Sequence, residues 1–146
     1  AKAKLAANLF PQDSNIQELY RSIAVGSIAA NKAANFSNKA LEFFNQTDYK
    51  NAAFNFENAL KQNPLEFSYF ENAATANYFL GNIEKALEQI DVVINQMNPL
   101  NGKCEYIKAL IYIKLGDPIG ACPLLQTSID SGYGQAQGTF NQYCKQ

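Results

Sequence analysis

The sequence predicts an all-α fold built from repeated helix pairs. Apolar residues recur at helical rather than alternating spacing along the 146 residues of the chain. Small residues recur once per expected helix pair, since Ala52 to Ala86 is 34 residues and Ala86 to Ala121 is 35. Helix-capping residues stand at matching places in each period. We therefore expect antiparallel helices that stack pair on pair, without strand pairing.

Composition narrows the classes of function. Apolar residues make up 47% of the chain and charged residues 17%, which favours an ordered fold over a disordered one. The net charge of −1 and the lack of a basic run argue against nucleic acid as a partner. No stretch has the ~20 apolar residues of a membrane span, so no membrane insertion by this segment is expected. The chain has no histidine, which removes the commonest general base and metal ligand.

An order of aromatic, small and turn residues appears three times between residues 33 and 132. In each copy, aromatic and small residues precede a polar turn, and a further small residue follows it. These residues are Phe36, Ala40, Phe43, Asp48, Ala52, Phe56, Ala59 and Pro64, then Phe70, Ala74, Tyr78, Gly81, Ala86, Ile90 and Pro99, then Ala109, Tyr112, Gly116, Ala121 and Leu125. This order resembles the tetratricopeptide-repeat (TPR) family. The alternative is that these residues only fall at the spacing of a generic helical core.

The resemblance implies a TPR-type α-α superhelix, which is a right-handed solenoid of antiparallel helix pairs. A single TPR domain would cover residues 1–146. Its repeats would lie at 33–65, 66–100 and 101–132, and a C-terminal capping helix at 133–146 would cover the last repeat. Alanines between the helices would allow close approach, while the aromatic residues fill the gaps between successive pairs.

Local signals place the helix ends. First helices are predicted near 33–46, 66–80 and 102–115, and second helices near 48–62, 82–97 and 117–130. Asp48, Asn82 and Asp117 are expected to cap the starts of the second helices. Gly81 and Gly116 are expected to end first helices in a left-handed conformation.

Residues 1–32 fit the repeat less well. Residues 1–9 look like the second helix of an incomplete earlier repeat. Ser14 and Gln17 are predicted to form a capping box at the start of a new helix. The residues in excess of a 34-residue period require either a lengthened helix or an added one. We favour one long helix from about 14 to 46, bent near Gly26.

The resemblance also implies a function. TPR arrays commonly bind an extended peptide or a helix in a concave groove lined by the first helix of each repeat, so we expect a protein-protein interaction scaffold or adaptor and not an enzyme. Transferring the groove positions to this chain gives a neutral, partly apolar lining. The candidate partner-binding residues are Phe44, Asn45, Asn72, Tyr78, Phe79, Tyr106 and Leu110.

One subclass of the family grips the C-terminal carboxylate of chaperone tails with cationic groove residues. This chain has Ser37, Leu41 and Asn72 at those positions, which disfavours that partner. The alternative function is a purely structural or homotypic assembly module of a larger cell-envelope protein, in which the N-terminal helix or a second copy fills the groove. A homodimer would follow from the second case.

No catalytic residue, metal site or cofactor is predicted. Glu84, Glu88 and Asp91 share one helix face and could approach a cation, but such a row is more often a solvated surface. No pair of carboxylates stands out as an acid and a base.

Three cysteines bear on the compartment. Their spacings of 18 and 22 residues fit no zinc or redox motif, which leaves a disulfide or inert thiols. If one helix ends near Asp130 and the next starts near Gly134, Cys122 and Cys144 both lie ~12–15 Å from the shared end. Cys104 would lie beside the opposite end. We therefore predict a Cys122–Cys144 disulfide and a periplasmic or cell-surface location, with the cytoplasm as the alternative. The C-terminal sequence also resembles that of exported bacterial TPR proteins.

Overall fold

A computed structural model describes residues 13–145 of the chain, apart from the side chains of 22, 24 and 25. All regular structure in these residues is helical and none is strand, which confirms the all-α prediction. The α-helices are α1 (Ser14–Val25), α2 (Ser27–Asn45), α3 (Tyr49–Gln62), α4 (Phe67–Leu80), α5 (Ile83–Val92), α6 (Lys103–Lys114), α7 (Pro118–Asp130) and α8 (Gln135–Tyr143). A π-helical segment, Val93–Met97, continues α5. The helix predicted over residues 1–9 lies outside the described residues.

The chain divides into two compact units between Tyr69 and Phe70, within the first turn of α4. The first unit contains α1, α2 and α3. The second contains most of α4 and all of α5 to α8. No described helix is both long enough and apolar enough to cross a membrane.

The predicted single helix from 14 to 46 is wrong, because it is broken at Gly26. This residue has φ 88° and ψ 149°, a conformation that is essentially restricted to glycine. The predicted capping box also differs from the structure. Asp13 and not Ser14 caps α1, since its carboxylate accepts a hydrogen bond from the Ile16 amide at 3.0 Å.

Within the first unit, α2 and α3 pack together as an antiparallel pair. The Arg21 guanidinium of α1 lies 3.2 Å from the Glu66 carboxylate, which places α1 beside the residues that lead into α4. The small residues of the TPR pattern are fully buried in both units. They are Ala40, Ala52, Ala59, Ala74, Ala86, Ala109 and Ala121.

The same two backbone hydrogen bonds close four of the described helices. After each helix, one backbone amide donates to the carbonyl three residues before it. The next amide along the chain donates to the carbonyl five residues before it, as in a left-handed C-cap. The donor–acceptor pairs are Thr47–Phe44 and Asp48–Phe43, Gly81–Tyr78 and Asn82–Asn77, Gly116–Ile113 and Asp117–Tyr112, and Gly132–Ile129 and Tyr133–Ser128. Gly81 (φ 94°) and Gly116 (φ 86°) are left-handed, which confirms both predicted caps.

Of the three predicted N-cap residues, two form a capping hydrogen bond and one does not. Asp48 accepts a hydrogen bond from the Asn51 amide at 3.2 Å, and Asp117 accepts one from the Gly120 amide at 2.8 Å. Asn82 holds the cap position of α5, but its side chain makes no capping hydrogen bond. Two of the three predicted side-chain caps are therefore confirmed, and that of Asn82 is wrong.

In the second unit, α4 and α6 lie side by side and run in the same direction. Near their starts, the Asn101 side-chain amide is 3.5 Å from the Glu71 carboxylate. Near their ends, the Lys114 ammonium is 5.6 Å from the centre of the Tyr78 ring. The intervening α5 is joined to α4 by a buried hydrogen bond from the Asn77 amide.

The start of α6 lies against the end of α7, so these two helices form an antiparallel pair. The Ser128 hydroxyl donates to the Gly102 carbonyl at 2.6 Å. A Cβ atom on Gly102 would lie 2.7 Å from the Ser128 carbonyl oxygen, and the residue has φ 74°. Glycine is therefore required here both by space and by backbone conformation.

The predicted C-terminal helix is present as α8, which packs on α7. Ala109, Ala121, Leu125 and Ala136 form a buried cluster that joins α6, α7 and α8. Half-buried side chains surround this cluster, including Tyr106, Tyr133 and Phe140. Helix α8 thus covers apolar surface of the α6–α7 pair.

Candidate functional site

Two of the predicted partner-binding residues lie in the first unit. Phe44 is half-buried, and its ring meets that of Tyr49 edge-on with 5.2 Å between centroids. Asn45 is exposed as the last residue of α2. Phe44 therefore packs across the turn between its own two helices.

The other five predicted residues lie in the second unit. Tyr78 and Phe79 stand near the end of α4, with their rings 5.3 Å apart at an interplanar angle of 77°. Phe79 is 52% exposed, while Tyr78 is half-buried beneath the Lys114 ammonium. Asn72 and Leu110 are also half-buried. Helical spacing puts Asn72 on the face of Phe79, which is seven residues further along.

Tyr106 lies on α6 and contacts the C-terminal part of the unit. Its ring centroid is 5.2 Å from that of Tyr133, and the two planes are inclined at 45°. Its hydroxyl is 3.5 Å from the Thr139 hydroxyl on α8. The Tyr133 hydroxyl donates to the Gln135 side chain at 3.2 Å. Leu110 lies one turn after Tyr106 on the same side of α6.

Burial affects the ionisation of two of the tyrosines in this unit, Tyr78 and Tyr133. Burial raises the pKa of Tyr78 above its ordinary value, and the neighbouring Tyr106 and Tyr143 raise it further. Burial also raises the pKa of Tyr133, with smaller contributions from Tyr106 and Glu71. A tyrosine hydroxyl is protonated at neutral pH even without such a shift, so those of Tyr78 and Tyr133 can donate hydrogen bonds.

The two ring pairs and the cation define a surface of the second unit that we call the tyrosine surface, consisting of Tyr78, Phe79, Tyr106, Lys114 and Tyr133. We include Tyr143, because it raises the pKa of Tyr78, as Tyr106 also does. Three of its residues were among the predicted binding residues. Tyr133 and Tyr143 were not predicted, because residues 133–146 have no place in the repeat pattern from which the groove positions were taken. The sequence did predict that Cys144 and Cys122 lie at the same distance from the shared end of their helices. This was the one signal that could have located Tyr143, which directly precedes Cys144.

The structure joins Cys122 to Cys144 by a disulfide, which is the pairing that the sequence predicts. The two Cα atoms are 5.7 Å apart, within the normal range for a disulfide. The bond connects the first turns of α7 to the end of α8 that carries Tyr143. It thereby helps to hold one side of the tyrosine surface in place.

Cys104 is a buried thiol. Its sulfur donates to the Glu105 carboxylate at 3.0 Å. Burial raises the pKa of this thiol strongly, and the nearby carboxylates of Glu105 and Glu71 raise it further. The thiolate is therefore disfavoured, and with it nucleophilic reactivity.

Among the described residues, no three His, Cys, Asp or Glu side chains are grouped so that they could hold a metal ion. Asp91, from the acidic row on α5, forms an ion pair with Lys108 at 2.7 Å. An open depression of about 390 Å³ lies where α4 meets α5, lined by Gly81, Asn82, Ile83, Glu84, Lys85 and Leu115. It contains one acidic and one basic side chain and offers no converging set of catalytic groups.

No model of a protein family matches the sequence, and no curated protein is significantly similar to it. The TPR resemblance therefore depends on the repeat residues of the chain itself. The complete burial of the seven repeat alanines is compatible with that pattern.

Proposed function

We propose that the chain is a TPR-type protein-interaction module, a scaffold or adaptor that binds a peptide or partner helix and has no catalytic activity. The tyrosine surface is the observation that carries this proposal. Tyr78, Tyr106, Tyr133 and Tyr143 lie near one another in one unit, and the exposed Lys114 lies over the Tyr78 ring. Tyrosine is enriched at binding hot spots because it combines a large, rigid apolar ring with a polar hydroxyl.

The helix order in the second unit supports the TPR-type superhelix as the finer description of the fold. In such an array, successive first helices are parallel, and each second helix runs back between them. The parallel arrangement of α4 and α6 has this form, with α5 connecting them and α7 returning along α6. The recurring backbone hydrogen bonds at the turns are consistent with equivalent repeats.

Several chemical features support a role in binding and not in catalysis. The chain lacks histidine. The buried Cys104 is held as a thiol, which makes it a poor nucleophile. Asp48 and Asp117 cap helices and are therefore already engaged. The proposed module needs no cofactor.

The disulfide supports a location in the periplasm or at the cell surface of a bacterium. Disulfides persist in oxidising compartments and are rare in the cytosol, where thiols are kept reduced. Cys122 and Cys144 form such a bond, whereas Cys104 is buried and remains a thiol.

A peptide library displayed on phage and selected on the oxidised chain tests the proposed function. The affinity of the selected peptides should fall roughly 30-fold or more in Tyr78→Ala and in Tyr106→Ala, which is the size of a hot-spot effect. Phe54→Ala, at a 61% exposed aromatic in the first unit, is the matched control and should leave affinity unchanged. Added salt should weaken binding little, because most side chains of the surface are uncharged. Peptides that bind both tyrosine variants as tightly as the parent would place the binding site elsewhere.

Homotypic assembly is a second candidate, favoured by exposed aliphatic side chains. Leu115 follows α6 and is 58% exposed, and Ile119 at the start of α7 is 80% exposed. Contiguous exposed apolar surface is typical of interfaces. Light scattering distinguishes the two candidates: a stable dimer that Ile119→Ser dissociates favours assembly, and a monomer favours the interaction module.

A further inference from the structure

We propose that α8 is a redox-controlled latch, which the Cys122–Cys144 disulfide holds against the α6–α7 pair and which detaches from that pair when both cysteines are reduced. The proposal follows from the small buried area of α8, from its low helix propensity and from the accessibility of the bond. It goes beyond the proposed function, because it concerns a conformational change of the chain itself and needs no partner.

Few side-chain contacts hold α8 in place. Of its 9 residues, all of which the structure describes, only Ala136 is buried. Phe140 is half-buried against the same cluster. The Thr139 hydroxyl is 3.5 Å from the Tyr106 hydroxyl, which is longer than a strong hydrogen bond between two hydroxyls. Apolar burial stabilises in proportion to the area removed from water, and alanine offers little area. Packing alone therefore holds α8 weakly.

The sequence of α8 also favours helix only weakly. It contains Gly138, Thr139 and Asn141, each of which has a lower helix propensity than alanine. Helices shorter than ~12–15 residues are marginal in water when they are isolated. A Cβ atom at Gly138 would have no neighbour within 4 Å, so packing does not require glycine there. Without its contacts to α7, this segment would lose its helical structure.

The disulfide fixes the end of α8 that the preceding turn leaves free. At the start of α8, the turn from α7 is held by the Tyr133 amide, which donates to the Ser128 carbonyl at 3.0 Å. At the other end, Cys144 directly follows α8 and is bonded to Cys122 of α7, 22 residues earlier. Both ends are thus attached to α7 only in the oxidised chain. Closing a loop of this length disfavours the detached state by roughly a hundredfold.

The bond is accessible to a thiol or a disulfide from solution. Cys122 and Cys144 are half-buried, and their neighbours Pro123 and Tyr143 are exposed. Thiol–disulfide exchange begins when a thiolate attacks one sulfur atom, so its rate depends on this access. The third cysteine, Cys104, is fully buried. A change in redox conditions therefore acts on the Cys122–Cys144 pair.

Oxidation by a small-molecule or protein disulfide, such as glutathione disulfide, closes the latch in two exchange steps. The thiolate of one cysteine attacks the oxidant, which forms a mixed disulfide and releases one glutathione thiolate. The thiolate of the other cysteine then displaces the second glutathione, and the Cys122–Cys144 bond forms. Overall, the two cysteine thiols lose two electrons and two protons, and the oxidant gains them as two glutathione thiols. A dithiol reverses the reaction.

Detachment of α8 changes the surface of the second unit. The buried cluster of Ala109, Ala121 and Leu125 loses its contact with Ala136, so apolar surface of the α6–α7 pair becomes exposed to water. Tyr106 also loses its Thr139 neighbour. The tyrosine surface is therefore complete only in the oxidised chain, and partner affinity should fall on reduction. This last consequence alone rests on the proposed function.

Amide hydrogen exchange of the full chain, read by mass spectrometry, tests the latch directly. Reduction with dithiothreitol should lower the protection of residues 135–143 by roughly tenfold or more, because the bond no longer opposes detachment. The amides of α4 should lose much less protection. The double variant Cys122→Ser/Cys144→Ser should reproduce the reduced pattern without a reductant. Equal protection of α8 in the oxidised and reduced chains would show that α8 packs without the bond and that the latch is wrong. An equal loss from α4 to α8 would also overturn it, since the bond would then stabilise the whole unit.

The variant Gly138→Ala provides a second test, which does not depend on how much of the reduced chain is folded. Alanine should increase the fraction of reduced molecules with α8 in place by about fivefold. Because the bond forms from that arrangement, the equilibrium constant for oxidation by glutathione disulfide should rise by the same factor. If α8 were already in place in the reduced chain, the constant would not change, and the latch would be refuted. Asn38→Ala, at an exposed position in α2, is the matched control and should leave the constant unchanged.

The outcomes separate this inference from the proposed function, since both measurements use only the chain, dithiothreitol and glutathione. If α8 loses protection on reduction but no selected peptide depends on Tyr78 or Tyr106, the latch stands and the interaction surface is wrong. If α8 keeps its protection while selected peptides lose affinity in Tyr78→Ala, the latch is wrong and the interaction surface stands.

Discussion

The pair α2–α3 of the first unit and the pair α6–α7 of the second close their turns with the same two backbone hydrogen bonds, but with different residues. The left-handed residue is Thr47 (φ 60°) in the first turn and Gly116 (φ 86°) in the second. A β-branched residue is strained in this conformation, whereas glycine is not. The shared hydrogen bonds are therefore maintained against the preference of Thr47. Backbone bonding, more than residue identity, defines this turn.

The two pairs also differ in what constrains them beyond the turn. The α6–α7 pair has the close contact at Gly102 and the disulfide from Cys122 to α8. The α2–α3 pair depends on the packing of alanines such as Ala40 and Ala52. We therefore expect a single change at Gly102 or at Cys122 to lower the stability of the chain more than a single change in the α2–α3 pair.

The largest effect is expected for Gly102→Ala. The new methyl group would clash with the Ser128 carbonyl oxygen, and alanine would be strained at φ 74°. These two costs together should lower the free energy of unfolding by roughly 3–4 kcal/mol. Urea denaturation followed by circular dichroism measures this. Gly116→Ala is the matched control, because its φ is also positive while no atom lies within 4 Å of the new Cβ, so it should cost only ~1–2 kcal/mol.

The disulfide is expected to have the next largest effect. It closes a loop of 22 residues, and loop-closure entropy predicts a loss of about 3 kcal/mol when it is removed. The double variant Cys122→Ser/Cys144→Ser should therefore unfold at lower urea concentration than the oxidised parent. The reduced parent, which keeps both cysteines but lacks the bond, separates the loss of the bond from the effect of the two new serines. Equal stability of the oxidised parent and the double variant would contradict a stabilising role for the bond.

The N-caps provide a smaller comparison. Asp117→Ala removes an acceptor from the Gly120 amide and should cost about 1 kcal/mol. Asn82→Ala should cost clearly less, since the Asn82 side chain makes no capping hydrogen bond. Thermal unfolding of the two variants gives the difference, and an equal loss in both would mean that Asn82 caps α5 in solution.

Thr47→Gly is expected to have the smallest effect, and it is the one change that should stabilise the chain. It removes the strain of a β-branched residue at φ 60° but adds backbone entropy to the unfolded state. The net gain should be about 0.5 kcal/mol, measured as a rise in the urea midpoint. A loss of stability would show that the Thr47 side chain makes a favourable contact that outweighs its strain.

The sequence predicts those parts of the fold that repeat. Ala52, Ala86 and Ala121 were recognised because they recur at one period, and all three are fully buried. The break at Gly26 was predicted only as a bend, because the helical pattern continues on both sides and does not encode the local torsion angles. Asp13 and Ser14 are both good capping residues, and the pattern alone does not distinguish between adjacent positions.

The candidate site was less predictable than the fold. Tyr78 and Tyr106 occupy repeat positions, so the TPR resemblance could place them on first helices. Tyr143 ends α8 and Tyr133 precedes it in the turn after α7, and the position of this C-terminal part depends on tertiary packing and on the disulfide. Their contribution to the tyrosine surface has no counterpart in the repeat period.

The disulfide also determines how tension passes through the C-terminal part of the molecule. A pulling force applied to residues after Cys144 reaches α7 at Cys122 directly, because the covalent bond bypasses the residues between them. The residues between the two cysteines therefore cannot be stretched out, which shortens the maximum extension of the chain by about 70 Å, at ~3.4 Å for each residue. Such a force does not separate α8 from α7, because the force passes through the disulfide and not through α8. Tyr143 would therefore keep its position if the protein were pulled at both ends.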